Sequence, residues 1–167
     1  MHKQSGFSMI ELMVAIGILA VLATLSVPNF IQWRDDAQLS YAAQDIYSNF
    51  QKAKVEAVRR NAYCTILFSS NRFTAFIDSN QNYTMDGGET VISTINLSDY
   101  PGVRLDSSLG GGDGLTFANP GNGLAFAPNG FPMNNTDTIT SGDVFLINSG
   151  NEKNSIGISS AGNVRIN

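Results

Sequence analysis

The sequence predicts an α+β fold in which a long N-terminal helix leads into an antiparallel β head. Three observations carry that expectation. Residues 7–27 form an almost unbroken apolar run, and residues 39–57 carry an apolar stripe at helical spacing. Beyond Asn61 the texture changes to short runs rich in Ile, Val, Phe and Thr, separated by clusters of Gly, Asn, Asp and Pro.

The first element opens with a polar leader, residues 1–6, which ends in Gly6 and runs directly into Phe7. The apolar run from Phe7 to Val27 is about as long as the ~20 residues a helix needs to cross a bilayer, so residues 7–27 are expected to be a transmembrane helix. A cleaved secretory signal fits poorly, because Ala20-Val-Leu-Ala23 is a weak A-x-A site and the helical pattern continues past Pro28. One charge, Glu11, interrupts the run. An ionised carboxylate in a lipid-spanning helix costs about 2.5–3.5 kcal/mol on insertion scales, so its presence implies a partner. Lys3 on the leader side, against Arg34-Asp35-Asp36 past the run, is a positive-inside signal for a cytoplasmic N-terminus and a periplasmic body.

Residues 28–61 read as an amphipathic continuation of the same helix. Leu39, Ala43, Ile46, Phe50, Ala53 and Ala57 recur at alternating steps of four and three, which places them on one helix face. Pro28 removes one backbone hydrogen bond and is expected to kink the helix. Asn61 is a left-handed stop at its end. Residues 62–167 form the β head, with strands expected at Cys64–Phe68, Phe73–Asp78, Thr90–Leu97, Val103–Leu105, Leu115–Phe117, Leu124–Ala127, Val144–Asn148, Ser155–Ser159 and Val164–Ile166. Gly110-Gly-Gly-Asp-Gly114 reads as a flexible loop and not a phosphate cradle, since no Lys-Ser/Thr follows it and it opens no helix.

Composition excludes several chemistries. The net charge is −4, and loss of Lys3 with the leader makes the remaining chain more acidic, which disfavours general binding of nucleic-acid phosphates. Cys64 is the single cysteine and His2 the single histidine. Cys64 therefore forms no internal disulfide and reads as a small apolar strand residue. Removal of His2 with the leader takes away Ser-His-Asp and Cys-His sites and the usual zinc ligand sets. The chain is not expected to be an enzyme.

The segment Gly6-Phe7-Ser-Met-Ile-Glu11-Leu-Met resembles the recognition site of type IV prepilins and of type II secretion pseudopilins. The resemblance implies that a prepilin peptidase cuts between Gly6 and Phe7 on the cytoplasmic side and N-methylates the new Phe7 amine. That amine and Glu11 are i,i+4 neighbours, so the carboxylate can be matched by its own chain's amine, by protonation, or by a neighbouring subunit's amine. In pilin-like filaments the resemblance implies the neighbour. Residues 76–82 with Asp86-Gly-Gly-Glu89, Leu124-Ala-Phe-Ala-Pro-Asn-Gly130 and residues 156–166 are similar to the GspH/FimT family of minor pseudopilins and pilins. This implies a long helix packed on a β-sandwich-like head in the inner membrane, present in few copies near the tip of a pseudopilus or pilus built from other pilin subunits. A pilus-tip DNA-binding subunit and an anchored domain that never polymerises are the alternatives.

Two head sites stand out. Asp78, Asn80, Asn82, Thr84, Asp86 and Glu89 occupy offsets 1, 3, 5, 7, 9 and 12 of a twelve-residue loop, the ligand spacing of an EF-hand calcium loop. Against calcium, Tyr83 stands where the sharp turn wants Gly, and a polar hairpin loop is the plain alternative. The second is Gly162-Asn-Val-Arg165. In some relatives of the family a Gly-Arg-x-Arg element contributes to DNA capture, and here Asn163 replaces the first Arg, leaving Arg165 as the one phosphate partner.

Overall fold

The computed structural model describes residues 6–69, 71–117 and 123–167, with the side chains of residues 25–28 outside the description. Leader residues 1–5, including His2 and Lys3, lie outside the described residues, and so does the Pro28 side chain. The chain divides into two compact units, Met1–Arg34 and Asp35–Asn167. One helix, α1 (Met9–Arg60), belongs to both, and its helical backbone continues through Pro28.

In the first unit the apolar side chains from Met9 to Leu22 are exposed, and this stretch of α1 is long and apolar enough to cross a membrane. In the second unit burial along α1 begins at Asp35. The helix ends as its sequence dictates. Asn61 takes a left-handed φ of 51°, its N–H donates to Val58 O, and the Ala62 N–H donates to Ala57 O at 3.1 Å. These are the two bonds of a Schellman motif.

The head consists of β1 (Tyr63–Ser69), β2 (Arg72–Asp78), β3 (Thr90–Asn96), β4 (Arg104–Leu105), β5 (Gly123–Phe126), β6 (Pro132–Met133), β7 (Gly142–Ile147), β8 (Lys153–Ile158) and β9 (Val164–Ile166). They form a five-stranded sheet in the order β3-β2-β1-β5-β6 and a four-stranded sheet in the order β4-β7-β8-β9. Every ladder is antiparallel, as sequential strands joined by short turns allow.

One buried cluster draws on α1 and both sheets. The helix contributes Leu39, Ala42, Ala43, Ile46, Phe50, Ala53 and Ala57, so the apolar stripe is the face that packs. Its alanines allow close approach, and Phe50 fills the middle. The Phe50 ring meets Phe68 edge-on at 6.0 Å and Phe117 at 6.5 Å, while Phe68 and Phe117 stack at 5.0 Å. Such ring pairs add about 0.5–1.5 kcal/mol each beyond their buried area. Cys64 faces into this core, where burial pushes its thiol up to about 12, so the side chain behaves as an inert apolar group.

Polar ties fix the helix against the strands. Asn148, fully buried, donates from Nδ2 to Asp36 Oδ1 at 2.8 Å. Lys52 Nζ donates to Ile92 O at 3.0 Å, and Lys54 Nζ to Gly162 O at 2.8 Å. Gly162 has a φ of +73°, and a Cβ there would lie 2.6 Å from Gly130 O, so only glycine fits the turn that receives Lys54.

Two expectations need correction, and one strand lies where none was expected. Leu115–Phe117 is not a strand: Leu115 makes only an isolated bridge to Val144, and Phe117 turns into the aromatic cluster instead of extending a ladder. The two-residue strand β6 begins at a proline, which sequence reading excludes from central strands but which an edge position tolerates. The Gly110–Gly114 loop is a tight hydrogen-bonded turn. The N–H groups of Gly112 and Gly114 both donate to Leu109 O at 3.1 Å, and Gly111 and Gly112 hold positive φ.

The ion pair at the β8 end of the second sheet gives the head an acid-sensitive contact. Lys153 Nζ lies 2.6 Å from Asp106 Oδ2, and this ammonium, helped by the Ser108 hydroxyl, holds the Asp106 carboxyl at about 2. The folded value lies below the unfolded one, so the contribution is complete above about pH 4 and is lost as pH falls towards about 2. Asp106→Asn should flatten the dependence of unfolding midpoint on pH across that window, as measured by denaturant titration, and leave the slope above it unchanged.

Candidate functional site

The Gly6–Glu11 segment stands at the head of α1. Gly6, Phe7 and Ser8 precede the helix in irregular, exposed backbone, and Phe7 is 86% exposed. A Cβ built on Gly6 would meet nothing within 4 Å, so packing within this chain does not require glycine there. Glu11 is the third residue of the helix, and its Oε2 accepts the Ser8 backbone N–H at 3.1 Å. This is one arm of a capping box, in which a carboxylate in the first turn satisfies an N–H that no helix carbonyl can reach. It also sets a negative charge at the positive end of the helix dipole. Sequence reading missed Ser8, although Ser-x-x-Glu before an apolar run is the signature of this cap.

The structure brings the twelve-residue loop together, with its oxygens engaged by its own amides. Asp78 is buried and accepts from Thr65 Oγ1 at 2.8 Å, the Asn82 N–H at 3.2 Å and the Tyr83 N–H at 3.0 Å. Asn80 and Asn82 direct their Nδ2 groups at Asp86 Oδ2, 2.8 and 2.7 Å away, and these two bonds hold the Asp86 carboxyl below its usual value. Glu89 spans the loop, accepting the Ser79 and Asp86 N–H groups at 3.0 Å each. Asn82 Oδ1 takes the Thr84 N–H at 2.8 Å. Tyr83 does adopt a glycine-like φ of 60°, anchored by its hydroxyl on Asn134 O at 2.5 Å. Among the described residues no three His, Cys, Asp or Glu side chains converge as a metal-holding group. Residues chosen for oxygen at alternate positions are equally the residues of Asx turns, and here the turns account for them.

Arg165 lies on β9, exposed, across the ladder from Gly157. It lines a groove of about 490 Å³ with Thr116, Ser141, Asp143 and Ser159. Gly157 leaves the groove floor bare: a Cβ there would lie 2.6 Å from Asp143 Oδ1 and 3.4 Å from Arg165 Nε. The single cation therefore shares its groove with a carboxylate, an arrangement that does not favour a phosphate backbone.

Comparison with known proteins follows the same division of the chain. The family described as "Type II transport protein GspH" matches residues 42–162, and the "Prokaryotic N-terminal methylation motif" matches residues 1–27. The pilin-like protein PilA1 of Thermus thermophilus is 30% identical over 168 residues, covering 96% of this chain and 97% of its own. Type II secretion system core protein G of Aeromonas hydrophila is 36% identical over 64 residues, 38% of this chain and 45% of that protein. Among solved structures, the minor pseudopilin EpsH from the type 2 secretion system of Vibrio cholerae superposes with a TM-score of 0.54 at 14% identity, covering 78% of this chain and 96% of that one. The type IV minor pilin FimU of Pseudomonas aeruginosa gives 0.57 at 13% identity, covering 81% and 92%. At such identities these two structures speak for the fold alone. With the family match spanning most of the head and the methylation motif covering the apolar N-terminus, the chain belongs to the GspH family of type IV pilin-like proteins: a membrane-anchored structural subunit of a pilus or pseudopilus, and not an enzyme.

Proposed function

We propose that this chain is a minor pseudopilin or minor pilin made as a precursor with a leader of residues 1–6. Residues 7–27 hold it in the inner membrane with the N-terminus cytoplasmic, residues 28–61 continue the helix, and residues 62–167 form a periplasmic head. A prepilin peptidase cuts between Gly6 and Phe7 and methylates the Phe7 amine. Neighbouring pilin-like subunits then take up the helix, with Glu11 setting its register.

The observation that carries this reading is a carboxylate engaged by one oxygen, at the end of an apolar helix face that nothing among the described residues covers. Among the described residues Glu11 Oε1 accepts no hydrogen bond, so one lone-pair face is open to a cation. Cleavage supplies such a cation on every subunit. Matching it across subunits in a water-poor filament core satisfies both charges, whereas leaving either alone there costs several kcal/mol.

Two variants separate processing from assembly. Gly6→Ala finds open space in this chain, so it should leave head stability unchanged while blocking the cut, read as retention of the leader by mass spectrometry of the N-terminus. Glu11→Ala removes a surface cap worth about 0.3–1 kcal/mol but also one partner of a buried pair worth about 3–5 kcal/mol. Its incorporation into purified filaments should therefore fall by at least about a hundredfold while cleavage and folding persist. Incorporation at the wild-type level would sink the register role.

The head loop generates a separate expectation. Because its oxygens already accept the loop's own amides, calcium and chelator should give the same thermal midpoint, and Asp86→Ala should lower it equally in both. A calcium-dependent rise that vanishes in Asp78→Ala would instead make the loop an ion site.

A further inference from the structure

The last turn of α1 before burial begins carries two large aromatic side chains. Phe30 is 62% exposed and Trp33 65% exposed. They lie three residues apart on one helix face, with ring centroids 5.8 Å apart and planes tilted by 37°. The next residue but one, Asp35, is buried, and Asp36 follows as the acceptor for Asn148. The pair thus sits between an apolar run and an acidic pair committed to the head.

An exposed Phe–Trp pair in water leaves much apolar surface wet, and neither ring is needed for the head's core. A tryptophan combines an apolar body with one N–H donor, the combination that concentrates at the boundary between lipid headgroups and acyl chains. Position along the helix agrees. From Met9, where the helix begins, to Trp33 there are 24 residue steps, or about 36 Å of helix at 1.5 Å each, with Phe7 and Ser8 extending beyond it. A bilayer with its headgroup layers is about 40–45 Å thick. The three charged residues directly beyond Trp33, Arg34, Asp35 and Asp36, resist being drawn deeper into lipid.

The geometry points to Phe30 and Trp33 as a lipid-interface anchor. The pair beds in the headgroup boundary of the leaflet that faces the head, and it fixes the helix at the depth that presents Gly6–Phe7 at the opposite membrane surface. The occupant of this face before assembly is a phospholipid bilayer interface. The inference rests on residues 7–27 being the membrane span, and it adds a depth setting that a uniform apolar run lacks, since such a run can slide by several residues at little cost.

Trp33 is the sole tryptophan, so the fluorescence of the unmodified full-length chain reports on this site alone. The chain is reconstituted into vesicles of phosphatidylethanolamine and phosphatidylglycerol containing phosphatidylcholine brominated either near the headgroup or near the chain ends. The expected result is co-flotation with the vesicles, blue-shifted emission, and quenching at least about twofold stronger from the shallow bromines than from the deep ones. A chain that floats but is quenched equally or more by deep bromines, or only by aqueous acrylamide, overturns the anchor and leaves the membrane span standing. Shielding that grows with the protein-to-lipid ratio overturns it in favour of a neighbouring helix. A chain that does not float overturns the span and the anchor together.

Discussion

The apolar stripe of residues 39–57 must be covered, and the head is built to cover it. Most helical stability in a folded protein comes from packing one face and not from the helix's own propensity. Here the packed face alternates small and large side chains. Ala42, Ala43, Ala53 and Ala57 let strands come close, and Phe50 fills the space left between them. Phe68 and Phe117 complete that filling, one from β1 and one from the segment leading towards β5. Remove the stripe and neither small sheet retains a common surface to pack on.

Before the stripe begins, the same helix follows another rule. Its side chains from Met9 to Leu22 are apolar all round and exposed, a composition that water does not tolerate over such a length. The two rules are separated by position along one continuous backbone, so a single element serves as anchor and as scaffold. Glu11 fits neither rule. In the single chain it rests on the Ser8 amide, a modest contact that a full positive charge can outcompete. Parking the carboxylate on its own helix end therefore keeps it satisfied in the single chain.

Much of this architecture was legible in the sequence because burial leaves a period. The stripe at steps of four and three named the packed face, and alternation placed eight of the nine strands within two residues of their ends. The failures have physical causes. Leu115-Thr-Phe117 has strand composition, but Phe117 is drawn into the ring cluster, a tertiary demand with no local signature. Pro132 hides an edge strand behind a residue that normally vetoes one. At the candidate site, Gly6, Phe7 and Glu11 are visible as a motif, and the Ser8 cap lies inside the same residues as Ser-x-x-Glu. The loop at Asp78–Glu89 fits two uses in sequence. Alternate oxygen-bearing residues serve metal ligation and Asx turns alike, and in the folded chain its carboxylates and amides make turn hydrogen bonds.

The Lys54–Gly162 tie joins residues 108 apart in sequence, and the Asp36–Asn148 tie joins residues 112 apart. Most of the polypeptide must therefore be made and folded back before the helix is clamped. Synthesis from the N-terminal end presents residues 39–57 first and the turn that fastens Lys54 last. During that interval the stripe is a sticky, unfinished surface, and closure over such sequence distances is intrinsically slow. Polar clamping of the helix thus waits on the turn between β8 and β9, the latest-made part of the head that the helix lysines reach.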